Sequence, residues 1–333
     1  MDIRRSVGMS NELELQTRIY VAGHRGLVGS ALVRALLERG SMPPITRSHA
    51  ALDLTNQSAT ESFFDEEQPD VVILAAALVG GIHANNVRPA EFIQDNLAIQ
   101  TNVINASYRS GVKKLLFLGS SCIYPRDCPQ PIEEKSLLTG PLEITNRPYA
   151  IAKIAGIEAC WSFNRQFGTQ YFSVMPTNLY GPGDNYDLHN SHVLPALIRK
   201  FDEARTSGDS EVCLWGTGTP LREFLFCDDL AQACLHLLSL PDCNLESLFD
   251  EYQPPIINVG SGDELSTANL AEIVSTVVGF KGRIQWDVTK PDGTPRKLLD
   301  SSRIEEMGWH SITPLVEGIS TTYRDYLERK NML

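Results

Sequence analysis

A doubly wound parallel α/β fold with a second, smaller α/β lobe follows from three features of the sequence. Short apolar β-type runs recur at Ile19–Ala22, Val71–Ala76, Leu115–Leu118, Phe172–Met175 and Ile256–Val259. Stretches of helical character lie between them, and strands that alternate with helices pair in parallel through crossover connections. The alternation loosens after Asn178-Leu-Tyr-Gly-Pro-Gly183, where turn signals such as Gly216-Thr-Gly218 take over, and returns at Phe224–Leu238.

The first run leads straight into Gly23, Gly26 and Gly29 and then an amphipathic pattern that ends near Gly40. Strand, glycine turn and helix in that order build a dinucleotide site. Gly23 permits the tight turn, Gly26 lets backbone approach a pyrophosphate, and Gly29 lets the helix pack against the sheet with its N-terminal N–H groups facing the phosphates. Glycines alone prove little, because an ordinary strand–turn–helix connection also uses them.

An NAD site usually carries an acidic residue at the end of the next strand, where it binds the ribose 2′-hydroxyl. That zone here reads Ile45-Thr-Arg-Ser-His49, so Arg47 stands in place of the acid, and Arg25 sits inside the glycine loop. Two guanidiniums favour a 2′-phosphate and hence NADP(H), although either arginine could also be a solvated surface charge. Asp53, in Leu52-Asp-Leu54, suits either the adenine edge or a helix N-cap.

These signals predict a dinucleotide domain over 17–178 rejoined by 224–262, a substrate lobe over 179–223 and 263–333, and a loose extension over 1–16. The chain has 333 residues, 42% of them hydrophobic, enough for a large core. A net charge of −12 argues against a nucleic-acid surface, so anionic ligands must be held by local cations. No run reaches the ~18 apolar residues of a membrane span. Seven cysteines without a C-x-x-C pair, and no apolar signal segment, point to reduced thiols in a cytoplasm. No metal-ligand cluster suggests zinc.

Tyr149-Ala-Ile-Ala-Lys153 places a phenol and an ammonium one helical turn apart, where the cation is expected to lower the phenol's pKa. The pattern is common, and Tyr326 with Lys330 repeats it in a polar C-terminal helix expected to be surface. What distinguishes the first copy is Leu116-Phe-Leu-Gly-Ser-Ser-Cys-Ile-Tyr-Pro125 upstream. A buried strand ending there puts Ser120, Ser121 and Cys122 at the carboxyl edge of the sheet, where doubly wound folds bind ligands.

Glycine loop, strand-end serine and Tyr-Lys pair together resemble the extended short-chain dehydrogenase/reductase family. Within it, GHRGLVGSA (23–31), LGSSCIYP (118–125), RPYAIAKIAG (147–156), SVMPTNLYGPGDN (173–185), NSHVLPAL (190–197), WGTGTPLREF (215–224) and KPDGTPRKLLD (290–300) resemble the GDP-L-fucose synthases. The resemblance runs from about residue 18 to 328. It implies epimerisation of GDP-4-keto-6-deoxy-D-mannose at C3 and C5, then reduction at C4 with NADPH.

By the same resemblance Cys122 is the base and His192 the acid of epimerisation. Tyr149 and Ser120 polarise the C4 oxygen, Tyr149 gives its proton, and Lys153 supports Tyr149 and the nicotinamide ribose. Read alone, a strand-end Cys is a small core residue and a loop His an exposed or capping one. The dinucleotide is expected at Gly23, Arg25, Gly26, Leu27, Val28, Gly29, Arg47, Asp53, Ala76, Lys153 and Asn178. Ser121, His192, Lys200, Trp215, Arg222 and Lys297 are expected at the GDP-sugar, with Arg222 and Lys297 on the diphosphate. Lys200 fills a position where arginine is expected, which keeps the charge and loses the planar fork.

Rival readings are other nucleotide-sugar enzymes of this fold and a non-catalytic NADP-binding sensor. Dehydratases of this kind carry Asp-Glu where Ser121-Cys122 stand, and a sensor has no need of the full Ser120, Tyr149 and Lys153 set. Helical stretches at Asp95–Arg109 and Tyr149–Phe167 are expected to pair across a two-fold axis into a homodimer, as family members do.

Overall fold

All five apolar runs become strands of one parallel sheet, because each is short, rich in β-branched or aromatic residues and closed by turn residues. The computed structural model describes residues 15–188, 191–249, 251–290 and 292–331, so most of the expected N-terminal extension lies outside the described residues. In chain order the strands are β1 (Ile19–Ala22), β2 (Val71–Leu74), β3 (Lys114–Leu118), β4 (Gln170–Pro176), β5 (Asn178–Tyr180), β6 (Glu211–Trp215), β7 (Leu221–Phe226), β8 (Ile256–Val259), β9 (Glu264–Ser266), β10 (Arg283–Asp287) and β11 (Arg296–Lys297). The main sheet has the order β1-β2-β3-β4-β8, with Ile45 bridging to Tyr20 on its outer edge.

The period of two along β1 sorts its side chains between two cores. Ile19 and Val21 face the helices Leu27–Glu38 and Cys227–Ser239, while Tyr20 and Ala22 face Gln57–Glu67, Pro89–Arg109 and Arg147–Phe167. Leu36 on one side and Phe64 on the other are fully buried, each worth about 1.5–3 kcal/mol of transfer free energy. The carboxyl ends of all five strands therefore open on one edge, between two helical layers.

The second lobe forms where the chain leaves that sheet after β4. Strand β5 pairs with β7, which also pairs with β11 and, antiparallel, with β9; β6 and β10 form a separate parallel pair. Strand β7 lies in this second sheet, and the chain returns to the main sheet through the helix that starts at Cys227, with Asp228 and Asp229 in its first turn. Acidic residues there suit the helix dipole. A third core packs the helices Val193–Ser207, Thr267–Val278 and Leu315–Lys330 together.

The second Tyr-Lys pair, expected at the surface, is a clasp instead. Tyr326 is buried in the third core, and Lys330 donates to the fully buried Asp202 at 2.7 Å. Asp202 also accepts from Tyr323 Oη and Arg205 at 2.7 and 2.9 Å, which compensates its desolvation. The sequence shows that helix as polar on average and hides its one apolar face. Among the described residues no helix is long and apolar enough to cross a membrane.

Candidate active site

At the edge of β1 the glycine loop is a cradle with no room for side chains. A Cβ on Gly23, whose φ is +85°, would lie 2.7 Å from Ala76 N, and one on Gly29 would lie 2.0 Å from Gly23 O. Gly26 is the N-cap of the helix Leu27–Glu38 and makes no side-chain cap, and Ser30 N bonds back to its carbonyl at 2.9 Å. The N–H groups of Leu27, Val28 and Gly29 therefore have no carbonyl one turn behind them and face an open edge. A dinucleotide pyrophosphate fits such a cradle.

Arg25 is exposed on the outer side of that loop. Arg47 lies over Phe63, 5.4 Å from its ring centre, and its guanidinium pairs with Glu67. Asp53 accepts from Thr55 N at 2.9 Å and Thr55 Oγ1 at 2.7 Å in a turn, whereas the N-cap of the following helix is Asn56, which accepts from Ala59 N. These Thr55 hydrogen bonds hold the Asp53 carboxyl below its usual range. His24, in the loop, has a buried Nδ1 without a partner, and its imidazole is disfavoured as a cation by burial and by Arg25.

Strand β3 ends at Leu118, and Ser120 caps a single 3₁₀ turn, Ser121–Ile123, by accepting from Cys122 N at 3.3 Å. Ser121 and Cys122 are both buried there. Lys153 reaches the same edge from the helix Arg147–Phe167 and donates to Leu118 O at 2.7 Å, with its ammonium 4.6 Å from the Phe117 ring centre. Burial brings the Lys153 ammonium down to about 8, with the Cys122 thiol acting the other way.

The expectation that Lys153 lowers the Tyr149 phenol is corrected by this geometry. Lys153 Nζ lies 5.7 Å from the Tyr149 ring centre and spends a donor on the Leu118 carbonyl, while burial and then Cys122 push the phenol well above its usual value. Desolvation outweighs the neighbouring cation, and the phenol rests protonated.

The second lobe brings cations to this edge. Lys297 in β11 lies beside Arg222 in β7 by strand register, and its ammonium acts on Cys122. Burial raises the Cys122 thiol, while Lys297, a hydrogen bond with Ser120, and Lys153 pull it down in that order. Lys297 itself is lowered by burial, with Cys122 opposing and Arg222 reinforcing. Arg222 is lowered by burial against Asp292 and donates to Leu221 O at 2.8 Å. The structure thus brings Lys297 and Cys122 to the lining of one cavity, a neighbourhood that the sequence pattern does not reveal.

His192 is the N-cap of the helix Val193–Ser207 but makes no capping bond, and it is exposed. The protein around it and then Lys297 lower its pKa from 6.5, so the imidazole is neutral in the free protein at pH 7. Its neighbour Asn190 lies outside the described residues. Lys200, on the same helix, stands 5.8 Å from the ring centre of the exposed Trp215, and Lys290 stands 5.6 Å from it. Asn178 spends its amide on Glu223 O at 2.8 Å, joining β5 to β7.

A cavity of about 370 Å³, counted with its open mouth, lies against Ser121, Cys122 and Lys297 and continues past Arg126, Glu143 and Asn146. Those last three, with Lys290, Glu223 and Asn258, were missed from sequence. Asn258 carried a readable sign, since it is the one polar residue of β8, whereas Glu223 stands beside Arg222 in β7 and does not stand out.

Residues 19–260 match a family described as the NAD dependent epimerase/dehydratase family. GDP-L-fucose synthase 1 of Arabidopsis thaliana is 56% identical over 321 residues, covering 96% of each chain. GDP-L-fucose synthase of Escherichia coli K12 is 50% identical over 316 residues, covering 94% of this chain and 98% of its own. Among solved structures, a GDP-L-fucose synthetase from Naegleria fowleri bound to NADP superposes with a TM-score of 0.84 at 27% identity, over 96% of this chain and 97% of that one.

Proposed function

Because the chain belongs to the NAD dependent epimerase/dehydratase family and, within it, to the GDP-L-fucose synthases, we propose that one cleft carries both halves of its reaction. The reaction converts GDP-4-keto-6-deoxy-D-mannose to GDP-L-fucose by epimerisation at C3 and C5 and NADPH-dependent reduction at C4. The observation that supports the assignment of residues is the cavity that Cys122 from one lobe and Lys297 from the other line together, with Lys153 reaching the same strand end beside Tyr149.

Epimerisation next to a ketone needs a base, an acid on the opposite face and a group to hold the enolate oxygen. The Cys122 thiolate, stabilised by Lys297, takes the carbon-bound proton and becomes the thiol. The electron pair moves onto the C4 oxygen, which Tyr149 and Ser120 hold by hydrogen bonds. His192 then returns a proton to the other face. Arg222, Lys200 and Trp215 hold the GDP end of the substrate.

The glycine cradle, Arg47 and Lys153 hold the dinucleotide, which supplies the hydride for C4 when bound. Tyr149 gives its phenolic proton to the C4 oxygen, and its raised pKa keeps that proton in place until the oxygen becomes basic. The helices Pro89–Arg109 and Arg147–Phe167 leave Tyr108, Ile151 and Phe167 exposed, with Tyr108 stacked on Phe167 at 4.2 Å. We infer that this face pairs two chains, in a cytoplasm that keeps the seven thiols reduced.

The test follows NADPH absorbance with GDP-4-keto-6-deoxy-D-mannose, alongside NADH. Oxidation of NADPH with formation of GDP-L-fucose is expected, and a folded protein that turns over neither cofactor sinks the reading. The working pair, thiolate with imidazolium, is a minority form here, because its thiol is raised above 9.0 and its imidazole lowered below 6.5. Its fraction is constant between the two pKa values. Entry of solvent deuterium at C3 and C5 should therefore rise to a limb below pH 6.5, stay level, and fall only above pH 9. A narrow optimum at neutral pH would mean that the two pKa values lie close together, against the burial that drives them apart.

A further inference from the structure

Cys122 and Lys297 lie far apart in the chain, and no strand ladder joins the 3₁₀ turn of one to β11 of the other. Both line one cavity; β3 leads into Cys122 and the β7 ladder holds Lys297 itself, so what joins the two strand ends is the pair of segments on their C-terminal sides. The chain after Cys122 runs through Tyr124 to Ile132, and the chain after Lys297 runs through Leu298 to Asp300. These two segments meet in a short bridge, where Ile132 N donates to Leu298 O at 2.8 Å and Asp300 N donates to Ile132 O at 2.9 Å.

Gln130 Oε1 accepts from Leu298 N at 2.9 Å, and one side chain from outside both segments spans them. Asn258, fully buried in β8, accepts from Tyr124 Oη at 2.6 Å and donates from Nδ2 to Ile132 O at 2.9 Å and to Asp300 O at 3.1 Å. Its backbone N–H goes to Glu134 Oε1 at 2.9 Å, which ties the same loop from a third point. An amide inside Ile256-Ile257-Asn258-Val259 is costly unless both its N–H groups and its oxygen are used, and here all are. It touches the chain two residues past Cys122 and three past Lys297.

We infer that Asn258 is a positioning residue of the reaction, setting the approach of Lys297 to Cys122 on which removal of the sugar proton depends. The interaction of an ammonium with a thiolate falls as their separation grows, so a loosened bracket weakens the base before it unfolds the protein. The inference rests on the reading of Cys122 as the base. It is tested by thiol chemistry that needs no turnover.

The rate of Cys122 alkylation by iodoacetamide is measured against pH by peptide mass spectrometry, which separates it from the other six cysteines. Asn258→Leu is nearly isosteric and uncharged, so it acts through geometry alone. It should move the Cys122 midpoint upward by about one pH unit while NADPH affinity stays within about twofold. Tyr124→Phe, which removes one bond and keeps the ring, should move it less in the same direction and carries the test where Asn258→Leu does not fold. In a Lys297→Met background either change should add nothing.

An unmoved midpoint in a folded variant overturns the inference. So does an equal shift without Lys297, which would mean general loosening. The base assignment fails separately, if Cys122→Ser still admits solvent deuterium at C3 and C5.

Discussion

The two walls of the cleft hold positive charge in opposite ways. On the dinucleotide wall Arg47 is exposed and already paired with Glu67, and the cradle beside it is built from backbone. On the substrate wall Lys297 and Arg222 are half-buried, with Lys153 buried where the two walls meet, and among the described residues none of the three has a carboxylate in hydrogen-bond contact. Burial lowers the pKa of all three. One wall exchanges a partner when its ligand arrives, whereas the other waits with an unmet electrostatic cost that an anionic substrate and an enolate relieve. Binding energy on the substrate wall is thus stored as instability of the free protein.

The largest test of that contrast removes the proposed base. Cys122→Ser should cut deuterium entry at C3 and C5 by about 10²–10⁴-fold while leaving NADPH affinity within about twofold, since Lys153 keeps its bond to Leu118 O and the glycine cradle is built from backbone. A parallel loss of NADPH affinity would mean that the two walls are coupled.

Next in size is Lys153→Met, which should abolish reduction and stabilise the free protein. The folded pKa of Lys153, about 8, lies below the unfolded value of 10.5, so the folded state binds the proton less well. The cost is full below pH 8 and fades as pH rises to 10.5. From a shift of that size it is about 3 kcal/mol, of which the lost bond to Leu118 O returns about 1 kcal/mol. Thermal unfolding should therefore show a higher Tm for the variant at pH 7 and no gain at pH 10.5. Equal stability at pH 7 would show that the substrate wall carries no such cost.

The same contrast explains what could be read from the sequence. The cradle is local, so Gly23, Gly26 and Gly29 announced it within one strand–turn–helix, and the five strands announced themselves by length and composition. Tyr149 and Lys153 are one turn apart, so their neighbourhood was legible too. Their electrostatics were not, because the sequence shows a cation near a phenol but not the Leu118 carbonyl that takes the cation or the burial that decides the pKa. Lys297 reaches Cys122 through β11, β7 and the Ile132 bridge, a path set by tertiary pairing between distant segments. Tyr326 misled for a related reason, since the helix that carries it is polar on average and buries only one face.

On the dinucleotide wall effects should be smaller, because exposed charges interact through water. Arg47→Ala should weaken NADPH binding by ~10-fold and leave NADH nearly unchanged, as the lost guanidinium meets only the 2′-phosphate. Fluorescence titration with both cofactors checks it. Equal losses would place Arg47 elsewhere on the dinucleotide.

Glu67→Gln is the smallest and the most discriminating change. In the free protein Glu67 holds Arg47 and also accepts from Arg18 Nη2 at 3.3 Å, so a 2′-phosphate must compete for Arg47 and approach a carboxylate of like charge. An ion pair of this kind at the surface is worth about 0.2–1 kcal/mol, which limits the gain on releasing Arg47 to at most about fivefold tighter NADPH binding. The gain should shrink as salt is raised from about 0.05 to about 0.5 M, vanish for NADH, and vanish again in an Arg47→Ala background, where there is no guanidinium to release. If Glu67→Gln tightened NADH as much as NADPH, the change would be reshaping the cradle, and the view of this wall as one that exchanges a ready partner would fall. A gain confined to NADPH and to low salt would locate its whole electrostatic reserve in one surface pair, against buried cations opposite that, among the described residues, have no carboxylate in hydrogen-bond contact.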